Sequence, residues 1–228
     1  MKKLKDKKIV IWGVGFLQVD IEAIYGVDKV DKYIDDDVED MNIINVDREN
    51  IVSSVDFAKT EYNPDLLCII CTKNKDYAIR VLSEMGYYRE NYVLAEELLT
   101  NKEYYDKFNA DDITIYGAGK TYLFWKKDLD IFNLSIKRFA TSEKTLDFFD
   151  GKKVVSLKEL KGLRGKTKIV VSSIYYKDIY YMLKESGFDP GSDFIQLDTF
   201  LALNNLVHNV NSDYDFVDSG AMSRFKAN

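Results

Sequence analysis

The chain repeats itself. Lys8-Ile9-Val10-Ile11-Trp12-Gly13-Val14-Gly15 returns about a hundred residues further on as Asp112-Ile113-Thr114-Ile115-Tyr116-Gly117-Ala118-Gly119, a period far too long for a solenoid. Leu67-Cys68-Ile69-Ile70-Cys71-Thr72, a helix-like run and Met85-Gly86-Tyr87 are matched in turn by Lys168-Ile169-Val170-Val171-Ser172-Ser173, a similar run and Ser186-Gly187-Phe188. The repeating unit is therefore a whole domain, and a chain of 228 residues holds two. Each copy opens with an apolar strand that runs into a G-x-G turn and a helix. That arrangement presents backbone N–H groups to a phosphate.

Strands alternate with helices through both copies, which predicts an α/β fold with parallel sheets covered on both faces. In the first copy the pattern predicts strands at Lys8–Trp12, Val30–Ile34, Asn42–Val46, Leu66–Cys71 and Tyr92–Leu94. Helices are expected at Phe16–Tyr25, Arg48–Glu61 (capped by Asp47), Lys75–Met85 and Glu96–Thr100. In the second copy strands are expected at Ile113–Tyr116, Ser135–Ala140, Lys153–Val155, Ile169–Ser172 and Phe194–Leu197. Its helices are expected at Thr121–Asp128, after the capping-box pattern Ser156-Leu157-Lys158-Glu159, at Tyr176–Ser186 and at Thr199–Leu203. The domains then cover residues 1–105 and 106–203, with Asn101–Asp111 as polar linker. Residues 204–228 turn to Asn, Asp and Ser and read as a polar tail, or as the start of a truncated further domain.

A hydrophobic content of 46% is ample for two packed cores. The net charge of −6, with no concentrated basic face, argues against a nucleic-acid partner. The one basic cluster, Lys2 to Lys8, reads as a solvated arm. No apolar run reaches bilayer length and no apolar h-region follows the lysine-rich start, so a soluble, cytoplasmic protein without a membrane partner is expected. Cys68 and Cys71 have the spacing of a redox pair or half a zinc site, but they lie in an apolar strand. Positions i and i+3 of a strand face opposite ways, so the sulfurs are expected neither to bridge nor to share a metal.

A full dinucleotide fingerprint is G-x-G-x-x-G with an acid about 20 residues on. The first copy has Gly13 and Gly15, with Phe16 opening the helix, but Gln18 where the third glycine belongs; the second has Gly117 and Gly119, but Tyr122. The third glycine allows close helix–strand packing, so losing it twice predicts a helix that stands off or a tighter turn. Asp35, the first of three acids ending the second strand, stands at a suitable distance for a ribose hydroxyl, and Thr141 and Ser142 lie near that place in the second copy. Gly119-Lys120-Thr121 has the look of a P-loop ending. The Walker pattern, however, requires glycine at the position of Thr114, and three loop residues cannot wrap a β-phosphate. Lys120 remains a suitable partner for a phosphate or carboxylate at a helix N-terminus.

No catalytic constellation emerges. Tyr-x-x-x-Lys, in which the lysine lowers the phenol's pKa, occurs at Tyr122/Lys126 and Tyr180/Lys184. With 16 tyrosines, roughly two such matches arise by chance. Tyr122 lies on the wrong element and Tyr180 follows Ser173 too closely for the usual serine–tyrosine spacing. The single histidine, His208, lies in the expected tail, which disfavours a Ser/His/Asp triad or a histidine-rich metal site.

Ile169-Val170-Val171-Ser172-Ser173, then Tyr176–Leu183, Gly187-Phe188 and Phe194-Ile195-Gln196-Leu197-Asp198, resembles small Rossmann-like domains of bacterial glycan-biosynthesis proteins. Such domains occur in nucleotide-sugar enzymes, at the front of sugar O-acyltransferases and ahead of FkbM-type methyltransferases. The resemblance implies two tandem Rossmann-like parallel three-layer domains. It also implies a nucleotide or nucleotide-sugar site at Gly13, Gly15, Thr72, Gly117, Gly119, Lys120 and Ser173, to which Phe16, Asp35 and Ser142 are added by position. Phe216-Val217-Asp218-Ser219-Gly220-Ala221 looks like the opening strand and glycine turn of an FkbM-type methyltransferase, without the rest of that domain.

The leading expectation is a nucleotide- or nucleotide-sugar-binding module of surface-polysaccharide or sugar-modification metabolism, without a complete active site. Its partners would be a small nucleotide ligand and either a second copy or a covalently linked catalytic domain. The alternatives are an NAD(P)-dependent sugar reductase or epimerase, favoured by Asp35, and a non-binding structural module of a larger enzyme.

Overall fold

The computed structural model describes residues 7–27, 29–37, 43–99, 112–131 and 134–208. Most of the Lys2–Lys8 arm, the expected linker Asn101–Asp111 and the Phe216–Ala221 motif lie outside them. The chain divides into two compact units at Leu99 and Thr100.

In the first unit, strands β1 (Lys8–Trp12), β2 (Lys32–Ile34), β3 (Ile51–Val52), β4 (Leu66–Ile70) and β5 (Tyr92–Leu94) form one sheet in the order β3-β2-β1-β4-β5. All its pairs are parallel. The helices are α1 (Phe16–Tyr25), α2 (Ser54–Phe57), α3 (Lys75–Glu84) and α4 (Ala95–Leu99). β4 is buried along its whole length, as an unbroken apolar run in a parallel sheet requires. Val10, Trp12, Cys68 and Ile70 pack with Ala78, Val81 and Leu82 of α3, closed off by Phe57 and Tyr87.

Two expectations fail between residues 43 and 61. Of the strand expected at Asn42–Val46, the described part, Ile43–Val46, forms no strand, and Asn45 takes a positive φ of 58° that a strand cannot contain. The helix expected from Arg48 to Glu61 is a 3₁₀ turn at Arg48–Asn50, then β3, then the short α2. Ile51 and Val52, β-branched, pair with Tyr33 and Ile34 instead of forming a helix stripe. The effective cap is Ser53, whose hydroxyl accepts from Asp56 N–H, whereas Asp47 makes no side-chain cap.

The second unit contains β6 (Ile113–Tyr116), β7 (Ile136–Thr141), β8 (Phe148–Phe149), β9 (Lys152–Ser156), β10 (Lys168–Val171) and β11 (Phe194–Gln196), in the order β11-β10-β6-β7-β9-β8. Its helices are α5 (Lys120–Ile131), α6 (Leu157–Lys161), α7 (Tyr176–Glu185) and α8 (Leu197–His208). Every pair is parallel except β8 with β9, an edge hairpin absent from the expected pattern. Setting β8 aside, both sheets run third, second, first, fourth and fifth strand across their width. The capping box at Ser156 and Glu159 forms as read: each side chain satisfies the other residue's backbone N–H. A bulge in β7 brings Arg138 beside Asp112, where the two pair through both guanidinium nitrogens at 2.5 and 2.7 Å.

The polar turn of composition at Asn204 does not end the last helix. α8 continues to His208, and Asn204 is buried, its Nδ2 donating to Phe200 O at 2.8 Å. Among the described residues there are eight helices, none long and apolar enough to cross a membrane.

Candidate functional site

Each first strand turns into its helix through a glycine held against the neighbouring strand. Gly13 N–H donates to Ile34 O at 2.8 Å and Cys71 N–H to Trp12 O at 2.7 Å. Gly13 has φ +102°, and a Cβ there would stand 2.7 Å from Thr72 N. The first glycine thus serves the close approach of the turn to the end of β4. Around Gly15, by contrast, a Cβ would meet nothing within 4 Å. That position opens outward, next to Phe16 at the start of α1.

Asp35 follows β2 and points back at this turn. Its Oδ2 accepts from Val14 N–H at 2.7 Å and its Oδ1 from Asp37 N–H at 3.0 Å. Gln18, fully buried in the place of the missing third glycine, accepts from Gly15 N–H at 3.4 Å. Beside the turn, at the C-terminal ends of β1, β2 and β4, opens a cavity of about 400 Å³. Gly13, Asp35 and Thr72 from the predicted set line it, together with Asp36 and Asp37. The sheet order reverses between β1 and β4, which is where open α/β sheets receive ligands.

The sequence reading missed Trp12, Ile34, Asn74 and Tyr77, which complete the wall. Trp12 directly precedes Gly13, and Asn74 stands at the N-cap position of α3 two residues after Thr72, so their placement follows from where β1 and β4 end. Tyr77, one turn into α3, meets Trp12 edge to face with ring centres 6.2 Å apart, and its hydroxyl lies 2.8 Å from Ser54 Oγ. Asp36 Oδ1 accepts from Ser54 N–H at 2.7 Å, which fixes the start of α2 against this wall. The Asn74 side chain makes no cap bond to its helix.

A second feature lies under α1. Tyr33 donates to Glu22 Oε1 at 2.7 Å, and burial pushes the Glu22 carboxyl up to about 7, against the opposing effects of Tyr33 and the Gln18 amide. Burial, then the charges of Glu22, Cys68 and Glu96, raise the Cys71 thiol, and burial raises that of Cys68; both cysteines are free.

The second unit builds the same turn and then fills it differently. Gly117 has φ +116°, and a Cβ there would collide with Ser172 O. The ladder sets Tyr116 beside Ala140 and Val171, so Thr141 takes the place of Asp35 and Ser173 that of Thr72. Thr141 turns away and donates to Glu143 O at 2.9 Å. Ser142 bonds the buried Tyr116 hydroxyl at 3.0 Å, and Ser173 Oγ accepts from Tyr175 N–H at 3.1 Å. Gly119 has open space about it and Lys120 is exposed.

The tyrosine–lysine pairs are structural. Tyr122 donates to Asp150 Oδ2 at 2.9 Å, and Lys126 Nζ holds the same oxygen at 2.8 Å. Burial, then Asp150, push the Tyr122 phenol up to about 12, the wrong direction for a proton-transfer group near neutrality. Tyr180 is 3% exposed and packs on Phe194. No group of three or more His, Cys, Asp and Glu side chains among the described residues is arranged to hold a metal ion. Comparisons with known protein families, curated proteins and solved structures find no match to this chain.

Proposed function

We propose that the chain is a binding module for a nucleotide or nucleotide sugar, serving sugar-modification chemistry without a complete active site of its own. The observation that carries this reading is the first-unit cavity, which gathers Gly13, Asp35 and Thr72 at the strand ends where the sheet order reverses. The two units are read as Rossmann-like copies of one duplicated domain, a reading supported by their shared strand order. The first copy is read as the binding one, since the cavity lies in it, whereas Thr141, in the place of Asp35, turns to Glu143 O in the second. The engagement of Tyr122 and Lys126 by Asp150 favours binding over reduction or epimerisation.

Thermal unfolding against NAD(H), NADP(H), UDP-, GDP- and CDP-sugars and S-adenosylmethionine tests the reading. A ligand at about 100 times its Kd adds about 2.7 kcal/mol, which at this chain length raises Tm by several degrees. A shift with a sugar nucleotide that disappears in Asn74→Trp, which fills the cavity mouth, supports the proposal. Silence across the panel removes it in favour of a non-binding scaffold.

A further inference from the structure

We infer that the first-unit cavity takes the uncharged, polyhydroxylated part of its ligand, of nucleoside or glycosyl type, and leaves the ligand's phosphate groups outside. This rests on the binding reading above and narrows its ligand. A glycine turn that cradles phosphate leaves its loop and helix N–H groups open to the anion. Here the protein has taken two of them. Val14 N–H is donated to the Asp35 carboxylate at 2.7 Å and Gly15 N–H to Gln18 Oε1 at 3.4 Å. The Asp35 carboxylate thus stands where a phosphate oxygen would accept.

The rest of the wall points the same way. Asp36 and Asp37 join Asp35 there, and among the described residues no lysine or arginine lines the cavity. An anion brought against three carboxylates is repelled. Carboxylates accept and do not donate, so what they attract is O–H donors such as a vicinal diol. Trp12, Ile34 and Tyr77 supply an apolar side against which the C–H face of a sugar ring or a base can lie. A volume of about 400 Å³ suits one such moiety.

Isothermal titration of the full chain with uridine and adenosine, each against its own 5′-diphosphate, decides the matter. The nucleoside is expected to bind several-fold more tightly than its diphosphate. Added salt should narrow the gap by screening the carboxylates, whereas at a phosphate cradle salt weakens the phosphorylated ligand. Asp37→Asn removes one charge at an exposed position that takes no side-chain part in the turn. It should fold normally and narrow the gap further. Equal or tighter binding of the diphosphate overturns the inference and leaves the nucleotide-binding reading standing. Binding of neither overturns both, and binding of spermidine in preference to any nucleoside overturns the inference in favour of a cationic ligand.

Discussion

The carboxylate of Asp35 accepts a hydrogen bond from Val14 N–H at 2.7 Å and so ties the end of β2 to the glycine turn after β1. The same side chain takes Asp37 N–H on its other oxygen, which shapes the turn leaving the strand. Hydrogen bonds to a charged group contribute about 1.5–3 kcal/mol where water is partly excluded. Asp35→Ala should therefore lower unfolding stability by about that amount, and Asp35→Asn, which keeps one acceptor, by less. Urea unfolding of the three chains gives the order directly. Coincident midpoints for wild type and Asp35→Ala would show that the contact holds nothing.

Gly13 and Gly15 are two residues apart and serve different ends. A methyl at position 13 would press on Thr72 N from a backbone with φ +102°, while one at position 15 would meet nothing within 4 Å. Gly13→Ala should cost roughly 1–3 kcal/mol from backbone strain, with the displacement of the β4 end added. Gly15→Ala should stay within about 0.5 kcal/mol of wild type. Gly117, whose Cβ would strike Ser172 O, should behave like Gly13. Loss of binding in a Gly13 variant thus reports a damaged turn and not a lost ligand contact. Equal destabilisation by Gly13→Ala and Gly15→Ala would contradict this division.

Much of this architecture was legible in the sequence, for a physical reason. β1, β4, β6 and β10 are central strands, so after a leading lysine in β1 and β10, and but for Thr114 in β6, they are written as apolar runs followed by glycine or small residues. Of the edge strands, β5 and β11 were legible and β3 and β8 were not. β3 and β8 are two residues each, and Ile51-Val52 fits a helix stripe as well as a strand until a neighbouring edge is there to pair with it. The site divides the same way. The positions of Gly13, Asp35 and Thr72 follow from where strands end, but the aim of a side chain does not. That the Asp35 carboxylate turns inward to Val14, while Thr141 in the equivalent place turns away, is set by a three-dimensional neighbourhood that periodicity does not encode.

Glu22 gives stability a pH dependence within the neutral range. Its folded-state pKa of about 7 lies above its ordinary value of 4.5, so between the two the folded chain holds a proton that the unfolded chain has released. The resulting stability is fully present below the ordinary value and is lost as pH rises through about 7. At about 1.4 kcal/mol per pKa unit, and discounting for partial exposure, the loss is on the order of 2 kcal/mol. Asp112 and Asp150, held low by Arg138 and Lys126, act in the opposite sense and only in the acid range, outside this window. Glu22→Gln keeps an acceptor for Tyr33 and should gain stability over wild type as pH rises from about 5 to about 8. A Tm difference that stays flat across that range would return Glu22 to ordinary carboxylate behaviour.

Tyr122 and Lys126 carry the spacing of a reductase dyad, yet both converge on Asp150 at the turn of the β8–β9 hairpin. Asp150 and Gly151 both have positive φ, 45° and 72°, so the turn is tight and the two side chains pin it to α5. The Tyr122 ring packs edge-on against Phe139 and Phe149, which anchors the phenol from its apolar side. Tyr122→Phe keeps those rings in contact and removes only the bond to Asp150, a loss of about 1 kcal/mol. The ultraviolet titration of tyrosinate gives a readout that stability does not. With the phenol pushed up to about 12, wild type and Tyr122→Phe should follow one curve through the ordinary tyrosine range and part only above it. A tyrosine missing from the variant's curve at or below about pH 10 would mean that Lys126, and not Asp150, governs this phenol, and the reductase reading would regain its acid.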